Sequence, residues 1–419
     1  MTIFINYFAR ATRASSLNLA VARVIICLYG AWKVATYPFV DLAGWPAFIF
    51  QAHRLARFTP GGMQAWWIIG EQILIVACLL LVAIGWRRAW AIPIGACLLA
   101  HLAVLNYPIV NEKTFLPIVY FLIFYGLFRQ TDSFTWDRYR ESSQRGAAEL
   151  QASLQNPRPA AGVELNSLKW FLVTLGLIYF FTGWCKIRIG QLDQFAAWAV
   201  PENMRLILEH NALYHIHHVP PLMEWLRTHP WALWPMGLGT LVLELGFVVA
   251  ILARRRITIF MFALAAMHLG ILLTMGLNYL SDMAILYLAF VPWDSVVARL
   301  SRGRSLRVVY DGECLFCMRT LLAFKKADQT GGLRFVPASQ LSEHPDLPAS
   351  LDYDQAMYVF DETGRAHRGY HGFCALVEYF MPLRPAVGLL RSRPVASVGE
   401  RIYAWVARNR GRISTCRLG

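Results

Sequence analysis

The chain has 419 residues, 57% of them hydrophobic and only 16% charged, and its mean hydropathy is positive. A soluble domain carries about 25% charged residues, so a single water-soluble globule is excluded and most of the chain belongs in lipid. The formal net charge of +14 is spread in short basic clusters between apolar runs, which is the pattern of topology signals rather than of a nucleic-acid surface.

In chain order, Met1 to Ser16 carries Arg10 and Arg13 and leads into an apolar run too long for a signal-peptide core, so a retained first span is expected. Apolar runs lie at Leu17 to Tyr37, Met63 to Ile84, Ala89 to Leu105, Thr114 to Phe128, Leu168 to Cys185, Trp231 to Leu252, Ile257 to Met275 and Leu280 to Trp293. They predict an α-helical multi-pass membrane bundle of about eight spans. With the N-terminus inside, Arg87 and Arg88, the basic stretch from Arg129 to Lys169, Arg254 to Arg256, and Arg299 to Arg307 all fall on the cytoplasmic side. The Pro38 to Gly62 loop, the Asn106 to Lys113 turn and the aromatic-rich Lys186 to Pro230 segment fall on the other, where Trp198, Trp225, Trp231 and Trp234 suit an interfacial stretch. Glu141 to Gly162, rich in Gln, Ser, Ala and Pro, reads as a flexible cytoplasmic loop.

Charge inside a span is costly, so Arg23, Lys33, Glu71, His101, Glu244, His268 and Asp282 each call for a partner or a task. Lys33, Glu71 and Asp282 stand near span ends and are expected to reach water, whereas Glu244 and His268 sit deeper. The run from Glu209 to His218 holds His210, His215, His217 and His218; it reads either as loop histidines at the interface or as metal ligands, in a spacing that matches no zinc signature.

After Arg307 the pattern becomes that of a small α/β domain, and the expected boundary puts the membrane part at 1–300 and this domain at 301–419. Ser305 to Tyr310 is a β-branched run, Asp311-Gly312 a turn, and Cys314-x-x-Cys317 opens a helix carrying Leu315, Phe316, Leu321, Leu322 and Phe324. A helix start favours an anionic thiolate, so Cys314 is expected to have a lowered pKa and to be the exposed nucleophile, with Cys317 resolving it from within the helix and Arg319, Lys325 and Lys326 nearby. The alternative, half a zinc site, needs a second ligand pair that Cys374, Cys416, His344, His367 and His371 do not supply in paired spacing. Cys27, Cys78, Cys97 and Cys185 fall in spans as small apolar residues. Leu333 to Pro337 and Met357 to Asp361 read as strands, Glu362 to Gly364 as a hairpin turn, and Gly372 to Phe380 and Val398 to Arg408 as helices, which is a thioredoxin-like order. No proline directly precedes the Met357 strand.

Two resemblances follow from these motifs. Tyr179-Phe-Phe-Thr-Gly183-Trp-Cys-Lys186-Ile, Glu244-Leu-Gly-Phe, Met267-His268 to Gly276 and Thr131-Asp132 to Trp136-Asp137 resemble the vitamin K-dependent gamma-carboxylase family and its bacterial relatives, the horizontally transferred transmembrane domains, over roughly residues 15 to 295. The resemblance implies a membrane module in which Lys186 acts in quinol-driven chemistry; with it, the in-span His268 is expected to be catalytic, and the in-span Glu244 and His101 to hold a vitamin K-like quinol or other quinone. A lysine at the edge of lipid is partly desolvated and can act as a base. The carboxylase's histidine before the Trp-Asp motif and its large extramembrane region have no counterpart here. Tyr310-Asp-Gly-x-Cys314-x-x-Cys317, Phe335-Val-Pro337, Arg368-Gly369 and Ile402-Tyr403-x-x-x-Ala407-Arg408-Asn409-Arg410 resemble the DCC family of thiol-disulfide oxidoreductase-like proteins.

Together these predict a multi-pass protein of the cell inner membrane with both its N-terminus and its redox domain cytoplasmic. Its expected partners are the lipid bilayer, a thiol or disulfide partner and a quinone, with neither a nucleic acid nor a metal. A carboxylase-like enzyme acting through Lys186 on the outer face, and a plain membrane anchor for the redox domain, are the other two functions the sequence allows. Lys186 on the outer face and Cys314 inside would be separated by about 30 Å of hydrocarbon, so electrons would need a diffusing carrier.

Overall fold

The computed structural model describes residues 16–44, 64–110, 115–128, 132, 134–142, 146–155, 166–189, 199–214, 218–253, 255–301, 303–328, 330–348, 350–353, 355–380 and 383–413. The chain forms two compact units. One is built on Asn18–Thr131 and Val163–Pro292, the other on Asp132–Gly162 and Trp293–Gly419.

In the first unit, six helices are long and apolar enough to cross a membrane: Ser16–Thr36, Ala65–Ile84, Arg88–Asn106, Ser167–Arg188, Pro230–Leu252 and Ile257–Met275. The sequence suggested about eight. The run from Thr114 gives only the 12-residue helix Leu116–Leu127, too short for a crossing of about 20 residues. The run from Leu280 stops as a helix at Ala289, where Phe290 leaves helical geometry ahead of Pro292. A seventh span is counted only if Leu280–Ala289 and Trp293–Leu300 are taken as one.

The outside of this unit is apolar. Trp32, Ile73, Trp90, Phe181, Val242 and Phe262 are all more than half exposed, while Leu19, Ile26, Ile75, Phe121, Phe171 and Leu264 are fully enclosed. Water would penalise that outer surface, and lipid does not. Ala65–Ile84 ends in a Schellman turn at Gly85 (φ 79°), whose N-H reaches Val82 O while Trp86 N-H reaches Leu81 O. Arg23 also caps this end, its Nη1 donating to Val82 O at 2.9 Å and Ala83 O at 2.8 Å. Close packing of the Asn166–Ile189 and Leu233–Leu252 helices depends on small residues: a Cβ at Gly176 would stand 2.7 Å from Ile251 Cδ1, and one at Gly183 would stand 3.0 Å from Glu244 Cβ.

Lys33 and Asp282 do not reach to water as expected. They pair with each other at 2.7 Å, Tyr29 also donates to Asp282, and both members of the pair are buried. Glu71 is likewise buried, against His101. These sites lie on faces turned toward neighbouring helices, where pairing costs less than reaching the surface.

The second unit contains a four-stranded sheet, β1 (Leu306–Tyr310), β2 (Leu333–Pro337), β3 (Tyr358–Phe360) and β4 (Ala366–Arg368), in the order β2-β1-β3-β4. β1 runs parallel to β2 and antiparallel to β3, and β3 and β4 form the hairpin closed by Gly364 at φ 80°. Helices Leu315–Ala327 and Gly369–Tyr379 share a core with the sheet through Met318, Leu321, Leu376 and Tyr379, and Phe324 meets Phe373 edge to face. Asp328, 1% exposed, fixes the turn into β2 by accepting the Thr330, Gly331 and Leu333 N-H groups and the Tyr379 hydroxyl. Burial, with the Asp328 carboxylate adding to it, pushes that hydroxyl well above its ordinary range. The helix expected over Val398 to Arg408 runs longer, Arg393–Ile413, and is preceded by Arg384–Leu390.

Part of the stretch expected to be a flexible loop, residues 146–155, is built into this unit. Ala147–Gln155 is a helix whose Leu150 and Leu154, 0% and 1% exposed, join the core of Val308, Met318 and Phe335. Gln155 Nε2 donates to Gln340 Oε1 at 2.7 Å. Two leucines one turn apart were the only apolar signal in a polar segment, too few to predict a packed helix.

Candidate functional site

The dithiol is assembled locally. β1 ends at Tyr310, and Asp311 Oδ1 accepts the Glu313 N-H at 2.9 Å, making a turn that delivers Cys314 to the start of the Leu315–Ala327 helix. Cys314 is the N-cap residue, with extended geometry (φ -81°, ψ 99°); its carbonyl accepts the Met318 N-H at 3.0 Å, and its sulfur accepts the Cys317 N-H at 3.3 Å. A sulfur in this position takes up one of the unpaired N-H groups at a helix start and faces the positive end of the dipole. Cys317 Sγ lies 2.7 Å from Cys314 Sγ, so only a small movement separates the two thiols from a bond of about 2.05 Å.

Exposure runs against the sequence-based expectation. Cys314 is 5% exposed, and Cys317 is the more accessible of the two. The turn at Asp311 folds the N-cap sulfur inward, with Gly312 against Pro337, where an added Cβ would stand 3.1 Å from the proline Cβ. Lys325 and Lys326 occupy the last turn of the same helix, about 16 Å from Cys314 at 1.5 Å per residue, too far to act on its sulfur. Cys374 is fully enclosed and burial pushes its thiol up, which makes it a poor nucleophile.

A second polar group lies in the helical unit, and it brings together Lys186, Glu244 and His268, three of the four membrane residues expected to be catalytic or to hold a cofactor. Lys186 Nζ donates to Glu244 Oε1. Two turns earlier on the Lys186 helix, the Tyr179 hydroxyl bridges His268 Nε2 at 2.7 Å and the Tyr287 hydroxyl at 2.9 Å. Glu244 and His268 are 3% and 7% exposed. Glu244 Oε2 and His268 Nδ1 are buried with no hydrogen-bond partner among the described residues. Leaving such an atom unpaired costs about 1–3 kcal/mol, and more if it is charged. His101 stands apart from this group, bonded to Glu71 at 2.8 Å.

Tyr179 and Tyr287 were not recognised from sequence. Tyr179 opens the Tyr-Phe-Phe-Thr-Gly run two turns before Lys186, on the same helix face, which is a signal that could have been read. Tyr287 has no comparable sign. His215 and His217 lie outside the described residues. Among the described residues no group of three or more His, Cys, Asp or Glu side chains is arranged to hold a metal ion.

Comparison with known proteins identifies the second unit's sheet region. Residues 308–416 match the family model described as DCC1-like thiol-disulfide oxidoreductase. No curated protein and no solved structure matches the chain. A thiol-disulfide oxidoreductase-like domain combined with several apolar helices of spanning length fits a membrane redox protein.

Proposed function

We propose that the chain is a membrane-bound thiol-disulfide oxidoreductase whose Cys314 and Cys317 dithiol exchanges electrons with disulfides. The observation that carries this is the N-cap sulfur of Cys314, bonded to the Cys317 N-H with the Cys317 thiol in contact. In this reading the Cys314 thiolate attacks one sulfur of a partner disulfide, the partner's S-S bond breaks, and the departing thiolate takes a proton. Cys317, losing its proton, then attacks the Cys314 sulfur, closes the protein disulfide and releases the second thiol. The dithiol gives up two electrons and two protons, and the partner disulfide gains both. The strand order β2-β1-β3-β4 with the motif at the first helix start supports a thioredoxin-like fold for this domain.

The membrane unit, in this account, handles a quinone-like or other lipid-soluble partner at Lys186, Glu244, His268 and Tyr179. Two orphaned buried atoms, Glu244 Oε2 and His268 Nδ1, support a polar ligand there, and a quinone carries the same two electrons and two protons as the dithiol. The likeness of Tyr179 to Ile187 and of Met267 to Gly276 to the horizontally transferred transmembrane domains supports the same assignment. A carboxylase-like role for Lys186 as base ranks second, because its Nζ is already engaged with the Glu244 carboxylate.

Docking of the Ala147–Gln155 helix onto the domain requires that the chain between the Leu116–Leu127 and Asn166–Ile189 helices share a side of the membrane with Cys314. The basic clusters support the cytoplasm for that side.

The test is to purify the full chain in detergent, identify any quinone bound to it, and follow oxidation of the dithiol by added disulfide and by added quinone. Cys314→Ser should abolish both reactions and Lys186→Met only the second. Undiminished exchange in Cys314→Ser would remove the reading.

A further inference from the structure

The strand register gathers one end of the sheet. Tyr310 pairs with Pro337, Val309 with Tyr358, and Tyr358 with Arg368. The end of β1 that leads to Cys314, the start of β3 and the end of β4 therefore all lie at the same edge. At a strand spacing of about 4.8 Å, Arg368 is about 10 Å across the sheet from the end of β1.

An open cavity of about 640 Å³ lies at this edge, with Gln355, Arg368, Tyr370, Tyr403 and Arg408 in its walls, within the size range of small-ligand sites. It is held in shape by close contacts. Gly369, at φ 57°, passes so near Tyr403 that an added Cβ would stand 3.0 Å from the ring, and the Tyr403 hydroxyl accepts the Met357 N-H at 3.0 Å. The charges in the wall are unequally engaged. Glu400 is bonded to His371 at 2.9 Å. The Arg368 side chain makes no hydrogen bond or ion pair among the described residues, and the one hydrogen bond of the Arg408 side chain among them is to Ala404 O in its own helix, at 3.2 Å. Two guanidinium groups without carboxylate partners, supplied from β4 and from a helix 40 residues later, converge on a cavity at the dithiol end of the sheet.

We propose that this cavity binds the carboxylate of a small disulfide or thiol substrate and presents its sulfur to the dithiol. Arg368 and Arg408 hold the carboxylate, with the forked geometry that guanidinium offers to planar anions, and Tyr370 and Tyr403 form the wall. The proposal rests on the thiol-exchange reading above and adds the substrate class: an anionic, peptide-like disulfide rather than a neutral or cationic one.

The test compares two disulfides of similar reactivity on the purified full chain, glutathione disulfide, which carries carboxylates, and cystamine, which carries only amines. The ratio of their second-order rate constants for oxidising the dithiol should fall about tenfold in the double variant Arg368→Gln, Arg408→Gln, recover substantially in Arg368→Lys, Arg408→Lys, and shrink with added salt in the parent protein. An unchanged ratio in the glutamine variant overturns the proposal. If neither disulfide oxidises the dithiol, the exchange reading fails by itself. The cavity is then judged by calorimetric binding of glutathione disulfide to Cys314→Ser, Cys317→Ser protein: loss of that binding when both arginines become glutamine supports the site, and binding that is absent or indifferent to the arginines overturns it.

Discussion

The backbone N-H of Cys317 points at the sulfur of Cys314 from 3.3 Å, so in the proposed exchange the residue that would resolve a mixed disulfide would also stabilise the thiolate that forms it. The division of labour between the two cysteines follows. In Cys317→Ser the amide remains and the resolving thiol is lost, so a mixed disulfide with glutathione should accumulate as a stable adduct on Cys314. In Cys314→Ser no adduct should persist at residue 317 beyond the level seen in unfolded protein. Intact-mass analysis after quenching in acid reads both outcomes.

Leu150 and Leu154 are enclosed in the core of the sheet domain although they come from the mid-chain segment. Leu→Ala at such sites costs about 2–5 kcal/mol. The double variant should therefore lower the unfolding midpoint of the second unit and speed proteolysis within 306–380, and oxidation of the dithiol should become heterogeneous. Equal stability of parent and variant would mean that the helix does not dock.

Glu244 is buried and its partner Lys186 is half-buried, so removing the lysine alone should cost more than removing both. Lys186→Met alone strands a carboxylate and should destabilise by about 3–5 kcal/mol, whereas Lys186→Met with Glu244→Gln should recover most of that loss. Thermal unfolding in a fixed detergent, carried through as a double-mutant cycle, measures the difference.

Asp361 organises the β3-β4 turn. The Thr363 hydroxyl first, then the His367 ring and the Arg365 and Thr363 N-H groups, lower its carboxyl from 3.8 to about 2. A carboxyl with a depressed folded-state value contributes stability above about pH 4, and that contribution is lost as pH falls toward 2. The group is largely solvent-facing, so after screening its contribution is under about 1 kcal/mol. Amide exchange in 358–368 should be faster in Asp361→Asn than in the parent at pH 6, and the two should converge near pH 2.

The architecture was largely legible because its signals are local. Apolar runs mark spans, and a β-branched run followed by Asp-Gly and Cys-x-x-Cys marks a strand, a turn and a helix start. Features governed by tertiary packing were not legible. Phe290 to Pro292 interrupts an apolar run that composition alone presents as continuous. Lys33 and Asp282 look like span-end residues until the fold joins helices far apart in sequence. Cys314 is buried beside a turn in which Gly312 lies against Pro337 of the neighbouring strand, an arrangement that no spacing encodes. Lys186, Glu244 and His268 stand out in sequence as costly charges or by family likeness, and Tyr179 shares the helix face of Lys186, but Tyr287, which joins Tyr179, is an ordinary aromatic residue in sequence.

The most direct measurement is a redox titration of the full chain in defined glutathione buffers, with thiols alkylated at each poise and located by mass spectrometry. One two-electron transition is expected, in which Cys314 and Cys317 become protected together as an intramolecular disulfide while Cys374 stays reduced throughout. Thiols that remain independently alkylatable at every poise, or that are masked by stoichiometric bound zinc, would contradict it.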